Sequence, residues 1–382
     1  MNHIKQLIKD KIGAAVHPVG PIEAHLKGAA DWLLLAQRAS ADDGLAHSYD
    51  VRNRSWNASY PETTGYAIPT LYDYAQLYQA PHYAEAARRM AEWESEIQLP
   101  DGGVRAGTMS AEIVAPTIFN TGQVLFGWAR AYLETRDERF KTSLTRASDW
   151  LVDAQDEDGA WRRFASPFTT SKLNSYNTRS AFGLVRAFEA LGEQRWLDAA
   201  VKNADFVVGR GFANGWLPDN CLLKMPDASA LTHTIAYSIR GLLEVGVAAG
   251  RDDLVERALK MAKLVAARQR EDGALPARYL PDWKTRVDWT CVTGNSQMAI
   301  NWLRLAQLTG DMSLTEPAIR ANRFNMSIQD LATSDDNVRG ALKGSHPING
   351  EYMTYKYPNW ATKFFMDGLM LEQRFDQVRN IG

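Results

Sequence analysis

The chain has 382 residues, 45% hydrophobic and 23% charged, ordinary values for a folded globular protein with room for a large core. A formal charge of −2 leaves no basic footprint for nucleic acid, and no Lys/Arg run interleaved with aromatics suggests a strand-binding groove. Two cysteines, Cys221 and Cys291, are too few for a disulfide framework or a four-thiolate metal site, so a reducing compartment, no metal and no cofactor are expected.

The amino end, Met1 to Val16, carries Lys5, Lys9, Asp10 and Lys11 among its apolar residues and lacks the unbroken apolar stretch of a signal peptide. No later run approaches the roughly 20 apolar residues of a membrane helix. A cytoplasmic protein without membrane contact is expected, residues 1–20 being an N-terminal extension of a single domain spanning 1–382. Its oligomeric state is left open.

Amphipathic stretches with large apolar residues at helical spacing begin near residues 22, 82, 137, 195, 252 and 314, as in Ala30-Asp31-Trp32-Leu33-Leu34 and Ser148-Asp149-Trp150-Leu151. An acidic or amide residue followed by Gly punctuates them at Asp43-Gly44, Asp101-Gly102, Asp158-Gly159, Asn214-Gly215 and Asp272-Gly273, at intervals of 58, 57, 56 and 58 residues. These glycines are expected to stop the helices in a left-handed conformation. A second, less polar set of helices is expected to start near 63, 119, 176, 231, 291 and 358. A helix apolar round most of its circumference is buried, so this set forms an inner ring and the polar-faced set an outer ring. Six of each closes an all-α toroid of six helical hairpins.

Inner-to-outer links are tight, such as Glu134-Thr135-Arg136-Asp137 and Thr309-Gly310-Asp311, whereas outer-to-inner links are long and rich in Trp, Tyr and Pro. Ordered loops of such length are usually functional. All the long links reach the amino ends of inner helices on one face, where the positive helix-dipole ends gather. That mouth collects Tyr60, Glu62 and Thr63, then Glu112 and Asn120, then Tyr176, Asn177 and Arg179. Later repeats add Asp227, His233 and Tyr237; Asp288, Trp289, Asn295 and Gln297; and Glu351, Tyr352, Tyr355, Lys356, Tyr357, Asn359 and Trp360.

The stretch from Trp150 through Gln155, Asp158 and Gly159 to Trp161, together with Leu308-Thr309-Gly310-Asp311, resembles the repeat signatures of (α/α)6-barrel glycosidases, polysaccharide lyases and sugar epimerases. The resemblance covers nearly the whole chain and implies fold rather than reaction. The Gln-x3-Gly-x-Trp element is also similar to repeats of squalene cyclases and prenyltransferases, but their Asp-x-Asp-Asp motif is absent. Tyr60 to Tyr66 with Tyr357 to Lys363 resembles uncharacterised proteins of bacterial polysaccharide gene clusters, which implies an acidic oligosaccharide or polysaccharide as substrate.

Glycoside chemistry calls for two carboxyl groups, and Glu62 with Asp288 is the expected pair. Glu62 also reads as a first-turn acid stabilised by the helix dipole, and Asp288 as an N-cap. His233, with Tyr237 one turn later on the same face, is a third candidate, for proton transfer near neutrality. The other expected substrate contacts are Tyr60, Glu112, Asn120, Tyr176, Asn177, Arg179, Asp227, Trp289, Asn295, Tyr355, Lys356 and Trp360. Hydrolysis of an acidic, uronate-containing glycan is the leading expectation. A lyase or C5-epimerase would instead use His233 or a tyrosine as base, with Asn177, Arg179 or Lys356 neutralising the uronate. A glycan-binding barrel without catalysis and a terpenoid-cyclase-like enzyme are the remaining alternatives; the polar series Asn120, Asn177, His233 and Asn295 speaks against the last.

Overall fold

The computed structural model describes residues 3–381, with side chains described as far as Phe375. After an N-terminal helix α1 (His3–Lys11), helices alternate between two rings. The outer ring holds α2 (Ile22–Arg38), α4 (Pro81–Glu96), α6 (Glu138–Ala154), α8 (Gln194–Gly209), α10 (Asp252–Ala266) and α12 (Thr315–Ser327). The inner ring holds α3 (Pro61–Leu77), α5 (Ile118–Thr135), α7 (Thr178–Leu191), α9 (Thr232–Ala249), α11 (Val292–Thr309) and α13 (Asn359–Ile381). Successive inner helices pack side by side, and α13 returns to α2 and α3 to close the ring. Among the described residues no helix is long and apolar enough to cross a membrane.

Small residues let the inner backbones touch. A methyl group at Gly183 would stand 2.2 Å from the carbonyl oxygen of Gly122, and one at Gly241 2.3 Å from that of Thr178. Buried tryptophans fill the layer between the rings; Trp302, for example, donates from Nε1 to the carbonyl of Ala262 on α10 at 3.0 Å.

The Asp-Gly marks are turns that follow the outer helices, not the helix stops expected of them. Helices α4, α6 and α10 end at Glu96, Ala154 and Ala266, several residues before Gly102, Gly159 and Gly273. The left-handed helix caps lie instead on the tight links of the inner ring, at Arg136, Gly192, Gly250 and Gly310. In the turns, a side-chain oxygen accepts an N–H two residues on: Asp101 from Gly103 (3.0 Å), Asp158 from Ala160 (3.2 Å) and Asp272 from Ala274 (2.9 Å). The glycine is there because the turn presses on the next outer helix. A Cβ at Gly159 would lie 2.2 Å from the carbonyl oxygen of Lys202, and one at Gly273 2.2 Å from that of Arg320.

A glutamine four residues earlier clamps each of these turns to the neighbouring helix. Gln98 Nε2 donates to the carbonyls of Gly102 (2.8 Å) and Ser143 (3.0 Å), Gln155 to Gly159 (3.2 Å) and Ala199 (2.9 Å), and Gln269 to Gly273 (3.0 Å) and Pro317 (2.8 Å). Gln329 closes the circle, donating to Gly340 (2.6 Å) and to His25 (3.1 Å) on α2.

Short antiparallel ladders join the long links, elements too brief for any periodicity to announce. β1 (Ser48–Asp50) pairs with both β2 (Ser55–Trp56) and β7 (Lys356–Pro358), tying the first long link to the last. β3 (Ala230–Leu231) pairs with β4 (Arg278–Tyr279), and β5 (Thr290–Cys291) with β6 (Ser345–His346). Helix α1, in the expected extension, is fastened to this face: Asp10 accepts from the buried Lys343 Nζ at 2.5 Å and from the Ile348 N–H at 2.7 Å.

Gln329→Ala should destabilise the protein by about 3 kcal/mol, because two buried carbonyls and the His25 ring each lose a partner. Gln155→Ala, at a half-buried position, should cost about 1 kcal/mol. Urea melts check this: the midpoint should fall in that order with the slope unchanged.

Candidate active site

The amino end of α3 begins at Pro61, whose fixed φ suits the first helical position, and it presents Glu62 in the first turn. Tyr60, in extended conformation just before the helix, turns its hydroxyl onto the Glu62 carboxylate and donates to Oε2. Glu62 is enclosed by protein yet only partly covered, as a group lining a hollow is. Burial pushes its carboxyl up to about 7, outweighing the Tyr60 hydrogen bond that favours the charged form.

Five phenols feel this carboxyl. Burial first, and the Glu62 charge in addition, hold Tyr60, Tyr66, Tyr176, Tyr237 and Tyr352 above the ordinary phenol range. They come from α3, from the short 3-10 turn Ser175–Asn177 before α7, from α9 and from the last long link. Glu62 therefore shares one enclosed cluster with phenols drawn from several of the inner repeats.

His233, in the first turn of α9, completes the same cluster. Its Nδ1 lies 2.9 Å from Gln297 Oε1 on α11, and its ring packs on Tyr237 (4.5 Å between centroids) and Tyr352 (5.3 Å). Burial lowers the imidazole to about 4, against the pull of the Gln297 hydrogen bond, so it is neutral at physiological pH. The bond to a carbonyl oxygen places the proton on Nδ1 and leaves Nε2 as an acceptor. Across the cluster stands His47, held neutral by burial and by nearby Lys356, its ring against Trp360 (4.8 Å) and Tyr60 (5.3 Å). Trp360 Nε1 donates to the Tyr352 hydroxyl at 2.9 Å, which links the two histidine environments. Asn120 donates to the Arg105 carbonyl at 2.9 Å and reaches the Tyr60 hydroxyl.

The structure thus brings together Glu62, Tyr60, Asn120, Tyr176, His233, Tyr237 and Trp360 of the expected residues. It does not bring Asp288 to Glu62. Asp288 is exposed and not an N-cap, that position belonging to Cys291; its backbone carbonyl, not its carboxylate, is held by Arg270 at 2.6 Å. Glu112 and Asp227 are also exposed, Asp227 accepting the N–H of Ser229 at 3.0 Å. Asn295 is wholly buried and ties α11 to α12 through the Ala321 carbonyl (3.2 Å) and Asn325 (3.1 Å), so it meets no substrate. Tyr355 lies under the Arg52 guanidinium at 4.1 Å, and Lys356 stands 4.0 Å from Asp50 and close enough to act on His47. Trp289 packs with Leu231, Ala277 and Cys291, and Asn177 is buried in its turn. Arg179 lies beneath Tyr237 and lines a cavity that opens at the other end of the barrel.

Sequence reasoning missed His47, Tyr66 and Arg278. Tyr66 was within reach, one turn after Glu62 on the same helical face. His47 and Arg278 lie in or beside two- and three-residue ladders that carry no pattern. Arg278 stands at the rim, its Nε 3.3 Å from the exposed Glu351. Among the described residues no group of three or more His, Cys, Asp and Glu is arranged to hold a metal ion.

No protein-family model matches the chain, and no curated protein matches it. Among solved structures it is similar to an unsaturated glucuronyl hydrolase specific for heparin, at 16% identity over 94% of this chain and 98% of that one, with a TM-score of 0.74. It is also similar to an unsaturated glucuronyl hydrolase, responsible for glycosaminoglycan degradation, from a Bacillus species (15%, 93% and 97%, TM-score 0.72). A third is the cellobiose 2-epimerase of Bacillus thermoamylovorans (10%, 91% and 98%, TM-score 0.70). The likeness establishes the fold, an (α/α)6 barrel of six helical hairpins.

The site makes stability depend on pH in two opposed ways. Glu62 has a folded value near 7 above its ordinary 4.5, so its contribution is complete below 4.5 and lost as pH rises through about 7. His233 is depressed to about 4 from 6.5, so the stability present above 6.5 is lost as pH falls toward 4. Urea melts of Glu62→Gln should show the alkaline decline reduced by up to about 3 kcal/mol relative to wild type, with the acid limb retained.

Proposed function

We propose that this barrel is a carbohydrate-active hydrolase that removes an acidic, uronate-type sugar from the end of an oligosaccharide, with Glu62 as its acid and base. The observation that carries this reading is one carboxyl, poised near neutrality at about 7, enclosed by phenols, imidazoles and an indole. Aromatic faces and fixed hydroxyl donors suit a sugar ring, and an enclosed site accepts the end of a chain rather than its middle.

A single acid narrows the chemistry. Ordinary glycoside hydrolysis divides its work between two carboxyl groups, and only burial and Tyr60 act on Glu62. An unsaturated uronate is an enol ether and needs only one. The protonated Glu62 gives its proton to the ring double bond; the resulting carboxylate then takes a proton from the water that adds to the adjacent carbon. The hemiketal so formed opens to a ketone, which leaves a hemiacetal at the anomeric carbon; that hemiacetal collapses to an aldehyde and expels the remaining saccharide as an alcohol. The solved structures similar to this chain include hydrolases named for unsaturated glucuronyl substrates, in keeping with that choice. Arg278 at the rim is the cation we assign to the uronate carboxylate, since its present partner, Glu351, is exposed.

A second reading has an observation of its own. The imidazoles of His47 and His233 belong to the same cluster, and a pair of them, one neutral to take a proton from a sugar carbon and the other protonated to return one, suits epimerisation.

Digestion of an unsaturated uronyl disaccharide distinguishes the two. Hydrolysis should bleach the ultraviolet absorbance of the conjugated carboxylate, and Glu62→Gln should lower kcat by about 10³-fold. The rate should depend on a group titrating near 7, and that dependence should vanish in Glu62→Gln. Uptake of solvent deuterium into an intact disaccharide, without bleaching, would instead establish epimerisation.

A further inference from the structure

The opposite end of the barrel holds a cavity of about 540 Å³, lined by the inner helices from as deep as Arg179, the second residue of α7, to their carboxyl ends. It opens where the links are tight, at the exposed residues Leu133, Glu189, Gln307 and Arg374, and narrows toward Tyr66, Tyr237 and Gln297, the underside of the Glu62 cluster. Its wall is strongly cationic. Six arginines and Lys363 line it against the acids Asp73, Glu189 and Asp367.

Most of these cations have partners. Glu244 holds Arg240 (2.8 Å) and Arg304 (3.1 Å), Asp367 holds Lys363 (2.5 Å), and Asp73 with Glu134 holds Arg130 (2.8 and 2.7 Å). Arg179 differs. Only 6% exposed, it has Gln123 Oε1 as a hydrogen-bond partner at 3.3 Å and no carboxylate among the described ion pairs. It sits in the first turn of α7, where the positive end of the helix dipole disfavours a cation. Its guanidinium lies over the rings of Phe126 (4.3 Å) and Phe182 (5.1 Å), with Arg240 as a like-charged neighbour and Asp367, already held by Lys363, as a carboxylate that acts on it without pairing with it. A buried guanidinium without an ion pair of its own and badly placed for its helix is a preorganised site for an oxyanion.

We propose that the tight-link end of this barrel is a second binding site, for a small sugar-sized anion whose phosphate or carboxylate is gripped by Arg179 at the bottom of the cavity. The volume lies in the range of small-ligand pockets and accepts a monosaccharide derivative with room for water. Arg186 and Arg374, paired with Glu189 and with Asp73 (3.6 Å), line its entrance, each cation there matched by an acid. Bound there, the anion would reach Tyr66, Tyr237 and Gln297 from the tight-link end, and Glu62 does not line the cavity, so the site is separate from the one assigned above and does not depend on the reaction proposed for it.

Calorimetric titration of the intact protein at constant ionic strength tests this, with glucose 6-phosphate, glucuronate and uncharged glucose as probes. Saturable binding of one or both anions, and none of glucose, is expected; which anion binds more tightly tells phosphate from carboxylate. Arg179→Met and Arg186→Gln should each weaken binding about tenfold or more, while Glu62→Gln should leave it unchanged. Should Arg179→Met fail to fold, Arg186→Gln and Arg374→Gln, both near the rim, carry the test. Absence of binding, equal binding of glucose, or binding lost in Glu62→Gln and kept in Arg186→Gln would overturn the proposal. The last of these would put the anion at the Glu62 site instead.

Discussion

A ring of twelve helices closes only if every hairpin turns through the same angle as its neighbours, and the recurring Gln-to-carbonyl clamp is what fixes that angle. Each clamp spends both protons of one amide, one on its own turn and one on a carbonyl of the next outer helix. That carbonyl already serves its own helix, so the clamp uses a spare lone pair and breaks nothing. The glycine four residues on lets the two backbones meet at a distance no side chain would tolerate. At the seam, Gln329 reaches across 304 residues of sequence to His25, and the geometry of all the other repeats is satisfied or violated there together.

The fourth repeat shows what the clamp contributes by lacking it. Asn214-Gly215 has no such glutamine, and a Cβ at Gly215 would meet side chains, Leu264 at 3.5 Å and Lys260 at 3.7 Å, rather than backbone. Cations substitute: Lys260 Nζ donates to the Ala213 carbonyl at 2.7 Å and Arg257 to that of Phe212 at 3.1 Å. Long flexible side chains at an exposed seam hold less firmly than a clamped amide.

These features explain how much could be read in advance. Helix positions were legible because they repeat: Gly and Gln recur with the hairpin, and the inner helices are apolar all round. That Glu62, His233 and Tyr237 share one cluster was legible because helix ends present their first turns to the mouth. The second carboxyl expected beside Glu62 is not supplied by Asp288, which is exposed. Asp288, Glu112 and Asp227 share the repeat phase of Glu62, but a long link turns each outward, and nothing local in sequence tells an inward acid from an outward one. His47 and Arg278 were hidden for the same reason, since two-residue ladders between distant links set their direction. Asn295 misled because an amide at the start of an inner helix serves equally to fasten that helix to its outer partner.

The two ends of the barrel differ electrostatically because the inner helices all run the same way. Their amino ends sum to a positive face and their carboxyl ends to a negative one. The cations toward the tight-link end, Arg130, Arg186 and Arg304, follow this field, as does the acid at the mouth. Yet the field does not set the titration of Glu62, which burial drives up to about 7 against it. Enclosure makes the carboxyl usable as an acid near neutrality. Arg179 stands against the same field from the other direction: a buried cation in a first helical turn, surrounded by the rings of Phe126, Phe182 and Tyr237 and by an Asp367 carboxylate that Lys363 already holds, rather than by an ion pair of its own.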